Sequence, residues 1–241
     1  MTKSRYICTY GIDMAECAKL FSYAPLSETT CAVIGCSSEA ASLFIPERDP
    51  MGRAVVAIGD RAFAGRSSLR TIVLPDSIES VGARAFAFCT GLVDIRISSE
   101  SRLASIGDRA FMGCERLTVL RFGGLRRLNC IGRNAFAYCT RLRTVALPEG
   151  IYELPPSLFE GCTALENVRL PEGLTALRCG VFSACTSLRS LSLPASVVVI
   201  EDCAFAWCGH LSELNLPESA CMVSASAFMD CVELGDVLKV G

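Results

Sequence analysis

Ala85-Phe86-Ala87-Phe88-Cys89 and Ala204-Phe205-Ala206-Trp207-Cys208 are one short phrase written twice, and the phrase runs through most of the chain. Its phenylalanine falls at Phe63, Phe86, Phe111, Phe136, Phe159, Phe182, Phe205 and Phe228, in steps of 23, 25, 25, 23, 23, 23 and 23 residues. A cysteine follows three positions later at Cys89, Cys114, Cys139, Cys162, Cys185, Cys208 and Cys231, with Arg66 in its place in the first copy. Self-similarity at a fixed period of this length identifies a tandem array. A unit of about 23 residues cannot bury its own apolar face, so successive units stack and share one elongated core.

Outward from the phenylalanine, each unit carries a segment of the form L-x-x-[L/I/V]-x-[L/I/F], as in Leu69-Arg70-Thr71-Ile72-Val73-Leu74 and Leu142-Arg143-Thr144-Val145-Ala146-Leu147. Apolar residues two apart predict a strand. Pro75, Pro148, Pro171, Pro194 and Pro217 follow these segments and end them, because proline has no N–H for the ladder. A second apolar pair, such as Ile78 and Val81 or Val197 and Ile200, precedes each phenylalanine and predicts an opposite wall. The Ala-Phe-x-x-Cys spacing predicts one turn of helix or 3-10 structure.

The fold class is therefore α/β, mostly β: a solenoid or horseshoe with a continuous parallel sheet and short helical or 3-10 turns. Residues 1–39 are expected to form an N-terminal cap, and residues 40–241 the array, about eight full units after a degraded first strand at Ala40 to Pro46. A last strand, Leu234 to Val240, would leave an open edge guarded by Lys239, through which a homo-oligomer could pair.

Charge nearly cancels, at net -2 with 20% charged residues, which favours neither nucleic acid nor an anionic membrane. No window approaches the roughly 18 apolar residues of a spanning helix, so membrane insertion is not expected. Polar residues interrupt Met1 to Asp13, which does not read as an export signal. Seven of the 15 cysteines share one repeat position, where parallel Cβ vectors suit packing rather than disulfides. An odd total leaves at least one free thiol, which fits a reducing compartment. Cys31 and Cys36 have the wrong spacing for zinc and His210, the sole histidine, is distant, so no metal is expected. Phosphate-loop, zincin and nucleophile-elbow motifs are absent, and a catalytic pair would depend on His210 alone. No cofactor and no enzymatic activity are expected.

Ile58-Gly59-Asp60-Arg61-Ala62-Phe63, repeated at Ile106 to Phe111, together with the cysteine position and L-x-x-V-x-L-P, resembles the BspA-like leucine-rich repeats over about residues 40 to 241. The resemblance implies a right-handed repeat solenoid without catalytic residues, in a family associated with surface proteins that bind host proteins or other cells. Export from the cell and retention within it both stay open.

The predicted function is protein binding through the sheet. Residues between the inward apolar positions are expected to face out: Thr71, Asp94, Val119, Thr144, Asn167, Ser190, Glu213 and Asp236 in one row, Val73, Arg96, Arg121, Ala146, Arg169, Ser192, Asn215 and Leu238 in the next. Arg70, Arg143 and Arg189 adjoin them, giving a basic middle stretch that yields to Glu213 and Asp236. The candidate contact residues are Arg70, Asp94, Arg96, Arg121, Arg143, Asn167, Arg169, Arg189 and Glu213, with a protein ligand as partner. The eight phenylalanines form a structural spine. Phe88, Tyr138 and Trp207 are expected to tuck between neighbouring crossovers, and the longer loops Ser98 to Arg102 and Gly123 to Arg127 to bulge from one rim.

Overall fold

The computed structural model describes residues 17–122 and 124–234 of the 241-residue chain. Each coil contributes a three-residue strand, a turn, a two-residue strand and a string of tight turns. The three-residue strands form the first wall: β3 (Ser42–Phe44), β5 (Thr71–Val73), β7 (Asp94–Arg96), β9 (Val119–Arg121), β11 (Thr144–Ala146), β13 (Asn167–Arg169), β15 (Ser190–Ser192) and β17 (Glu213–Asn215). Strands opposite form a second wall: β4 (Ala54–Ile58), β6 (Ser80–Val81), β8 (Ser105–Ile106), β10 (Cys130–Ile131), β12 (Glu153–Leu154), β14 (Ala176–Leu177), β16 (Val199–Ile200) and β18 (Met222–Val223). All pairings within the two walls are parallel, one coil to the next. The opposite wall is thus a second sheet, which the apolar pairs did not reveal because two residues are too few to show a period.

Neither wall is a continuous sheet. The first divides into β3-β5-β7, β9-β11-β13 and β15-β17, and the second breaks between β10 and β12. The second break has a covalent cause. In neighbouring coils the residue after the short strand donates its amide to the coil before: Gly107 to Val81 (2.7 Å), Gly132 to Ile106 (2.8 Å), Arg178 to Leu154 (3.1 Å). After β12 that residue is Pro155, which has no N–H to give, so the rung is lost.

The third side of each coil is built from tight turns closed by hydrogen bonds three residues back, the 3-10 type among the expected alternatives, and not from a turn of α-helix; beyond residue 20 no described residue is α-helical. An α-helix directs its amides back along the same segment. Here the amides of Arg84, Phe86 and Phe88 instead donate to Asp108, Ala110 and Met112 of the next coil, while Ala85, Ala87 and Cys89 donate three residues back. The backbone makes this alternation by entering the left-handed region two residues before and two after the phenylalanine, as at Arg84 (φ 55°) and Phe88 (φ 59°). Glycine takes the later position at Gly65, Gly113 and Gly161, where it costs least.

The phenylalanines stack from Phe63 to Phe228 with ring centroids 5.1 to 6.0 Å apart. Those from Phe63 to Phe205 are fully buried. Each cysteine of the repeat directs its thiol at the phenylalanine carbonyl of the coil before, from Cys89 to Phe63 (3.1 Å) through Cys231 to Phe205 (3.0 Å). All described cysteines are free thiols. The repeat cysteine therefore packs in the core, as its spacing predicts, and also ties adjacent coils.

At the N-terminal side, β1 (Phe21–Pro25) runs antiparallel to β2 (Thr30–Cys36), which pairs in parallel with β4. Phe21 meets the end of the column edge-on, 6.5 Å from Phe63. Arg66, standing where other coils have cysteine, donates to the carbonyls of Cys36 and Ser38 and so holds the β2–β3 connection. The longer loops do not simply bulge: Ser101 and Leu125 are buried. Of the expected strand at Leu234 to Val240, Leu234 is a buried turn residue, and the rest, with the open edge proposed for self-association, lies outside the described residues.

Candidate functional site

The outward side of the first wall presents regularly spaced, uncovered side chains from one coil to the next. Register confirms the reading of rows within each sheet. Thr71 pairs with Asp94 and Val73 with Arg96; Val119, Thr144 and Asn167 align, as do Arg121, Ala146 and Arg169; Ser190 aligns with Glu213. Arg121 and Arg169 therefore stand two strands apart, about 10 Å, with only the Ala146 methyl between them.

The basic residues differ in how much charge they leave available. Arg96 Nε is 2.7 Å from Asp94 Oδ2, a local pair that largely cancels both. Arg143 lies 3.8 Å from Glu166, and Arg70 folds back onto the carbonyl of Ser67 at 2.7 Å. Among the described residues, the side chains of Arg121, Arg169, Arg189, Asn167 and Glu213 have no hydrogen-bond or ion-pair partner. His210, exposed, meets Glu233 at 2.7 Å.

Two hollows open on this wall, each where its sheet is interrupted. The larger, about 1330 Å³, lies across the gap between β7 and β9 and is bounded by Phe44, Val73, Val93, Ile97, Val119 and Arg121, among others. With no ladder drawing β7 to β9, Ile95 of β7 is only half-buried and contributes to its floor. A loop from Ile45 to Gly52 walls one side. Asp49 holds that loop, accepting from the amides of Met51 (3.0 Å) and Arg53 (2.8 Å) and from Arg53 Nε (2.7 Å). Burial works against its charge, but the bonds from Arg53 outweigh it and keep the carboxyl below its usual range. The smaller hollow, about 500 Å³, lies across the gap between β13 and β15 and is lined by Glu166, Asn167, Ser187, Arg189, Ser190 and His210.

Of the candidate contacts, Asp94, Arg96 and Arg121 border the larger hollow and Asn167 and Arg189 the smaller. Arg169 lies between them on β13, while Arg70, Arg143 and Glu213 border neither. Sequence reading missed the loop wall and the apolar floor. Val93 and Ile97 were legible as apolar residues, but the gap between β7 and β9 has no proline or other sequence signature.

The turn side overturns one expectation. Phe88, Tyr138 and Trp207 do not tuck into the core: they are 55%, 42% and 49% exposed. At the next coil's equivalent position, a β-carbon on Gly113 would sit 2.7 Å from the Phe88 ring, and one on Gly161 would sit 2.6 Å from that of Tyr138. The Phe88 and Tyr138 rings thus lie over bare glycine backbone, whereas the position equivalent to Trp207 in the next coil is Asp230.

A BspA type leucine rich repeat model matches 6 copies, over residues 51–129 and 106–235. The chain belongs to the BspA-type leucine-rich repeat family. This BspA-type protein is similar to a leucine rich repeat protein of T. pallidum, with 30% identity, a TM-score of 0.68, and 92% of this chain and 91% of that one covered. A leucine-rich repeat protein from Eubacterium ventriosum shares the fold at 22% identity and a TM-score of 0.64, over 81% of this chain and 60% of its own. No curated protein matches. Leucine-rich repeats of this family are in general scaffolds for protein interaction. Among the described residues, no group of three or more His, Cys, Asp or Glu is placed to hold a metal ion, and no helix is long and apolar enough to cross a membrane.

Proposed function

We propose that this BspA-type repeat protein is a non-enzymatic scaffold that binds a partner protein on the outward side of its first wall, in the manner of an adhesion or host-binding module. The observation that supports this most is the pairing of an apolar hollow with unpartnered arginines on one rigid surface. Apolar area supplies affinity, and arginine held without an internal carboxylate is free to meet one from outside. Eight three-residue strands, about 4.8 Å apart where they pair, give a face of at least a few hundred Å², comparable with one side of a modest protein interface. The side chains holding this face are the buried column behind it, so binding needs little reorganisation. The test is where contact occurs. A photo-activatable residue at Thr144 on this wall should cross-link a partner from a cell extract, and the same residue at Cys130 on the second wall should not.

A further inference from the structure

The distribution of charge along the first wall identifies the kind of segment it would take. The stretches containing β9, β11, β13 and β15 (residues 115–122, 140–147, 163–170 and 186–193) hold six arginines and two glutamates, in a chain whose net charge is -2. The arginines are Arg116, Arg121, Arg141, Arg143, Arg169 and Arg189, all exposed. Only Arg143 has a carboxylate within ion-pair distance, Glu166 at 3.8 Å. Glu213 ends the band on the following strand. At the other end the band runs into the apolar hollow, with Arg121 belonging to both. Beyond Arg121, that hollow carries charges of both signs, Lys19 and Arg48 beside Glu47 and Asp76, so the run of unopposed arginines does not extend across it.

We propose, resting on the reading of this wall as the binding surface, that its ligand is an extended polypeptide segment with an apolar end followed by a run of aspartate or glutamate. The segment lies along the solenoid axis, across the strands. Its apolar side chains fill the hollow over β5, β7 and β9, and its carboxylates follow the arginines from β9 to β15. Six strands, about 4.8 Å apart where they pair and no closer across the two gaps, span at least roughly 24 Å, the length of about seven or more extended residues at ~3.4 Å each. A spacing of two strands between Arg121 and Arg169 suits carboxylates two or three residues apart, and guanidinium accepts each in a two-pronged contact. A sulfated glycan would satisfy the arginines but leave the apolar hollow empty, so the combination favours a polypeptide.

The probe is a fluorescein-labelled peptide of about ten residues, a Leu-Phe pair followed by alternating Asp and Glu, titrated with the full chain and read by fluorescence anisotropy. Binding should saturate and weaken as salt rises from about 50 to 300 mM. Arg121→Glu with Arg169→Glu should weaken it about tenfold or more, since attraction becomes repulsion at two contacts. Replacing Leu-Phe in the peptide by Ser-Ser should weaken it as well. Both arginines are exposed and unpartnered, so the double variant should melt at the parent temperature. No binding, equal affinity for the double variant, or tighter binding of a heparin oligosaccharide than of the peptide would overturn the proposal. If the peptide fails while Thr144 still cross-links a protein, the wall remains the binding surface and the acidic extended segment is the part refuted.

Discussion

Phe136→Ala removes a ring from the middle of the column. Phe136 is fully buried, stacks on Phe111 at 5.4 Å and Phe159 at 6.0 Å, and meets Phe122 at 5.7 Å with a 54° tilt. Losing roughly 130 Å² of buried apolar area at about 25 cal/mol/Å² amounts to about 3 kcal/mol. The cavity left between two coils adds to this, because the backbone rungs on either side limit collapse, so the expected loss is about 4 to 5 kcal/mol. Phe228→Ala provides the comparison. Phe228 is only partly buried and, among the described residues, stacks on Phe205 alone, so its loss should cost about 1 to 2 kcal/mol. Urea unfolding followed by far-UV circular dichroism, with both variants and the parent under one condition, measures the difference. If the two substitutions cost the same within about 1 kcal/mol, the coils do not share a continuous column and the reasoning is wrong.

Two further predictions concern the turns and the thiols. Ala184 holds a left-handed backbone (φ 57°) with a β-carbon that region disfavours, so Ala184→Gly should stabilise by about 0.5 to 1 kcal/mol in the same urea assay, and a loss would contradict the strain assigned to it. Burial raises the repeat thiols from their usual 9.0, to about 11 at Cys89 and about 12 at Cys139 and Cys208. The folded chain then keeps protons that the unfolded chain releases, so their contribution is whole below pH 9 and is lost as pH rises toward 11 to 12, at about 1.4 kcal/mol per pH unit for each thiol. Urea midpoints should fall steeply between about pH 9 and 10.5, and less steeply in Cys139→Ala; a flat profile would show that the thiols are not held in the dry core.

The period, the spine, the buried cysteines and the outward rows were legible because each depends on one residue type recurring at one spacing. The second sheet was not, since strands such as Ser80–Val81 are too short to show alternation. Of the two alternatives for the turn side, 3-10 bonding is met by the bonds three residues back, and the α-helical one failed for a related reason. Ala-Phe-x-x-Cys has helical spacing, but Arg84, Asn134 and Ser157 occupy left-handed backbone that only inter-coil hydrogen bonding makes favourable. At the candidate site, the sequence places Arg121 and Arg169 facing outward but gives no sign that Arg96 is neutralised by Asp94 two residues away. Nor does it show the hollows, which arise where neighbouring strands fail to pair. The aromatics at Phe88 and Tyr138 looked like core because their exposure depends on a glycine in the next coil, a relation between units rather than within one.

The measurement that bears most directly on the first wall as the binding surface is face-resolved photo-cross-linking. The photo-activatable residue is placed in turn at Thr144 on the first wall, Cys130 on the second and Phe88 on the turns, and each protein is irradiated in the same extract. Cross-linked protein is expected from Thr144 and absent from the other two. Cross-links from Cys130 or Phe88 with none from Thr144 would place the partner on a different side of the solenoid and contradict the proposed function.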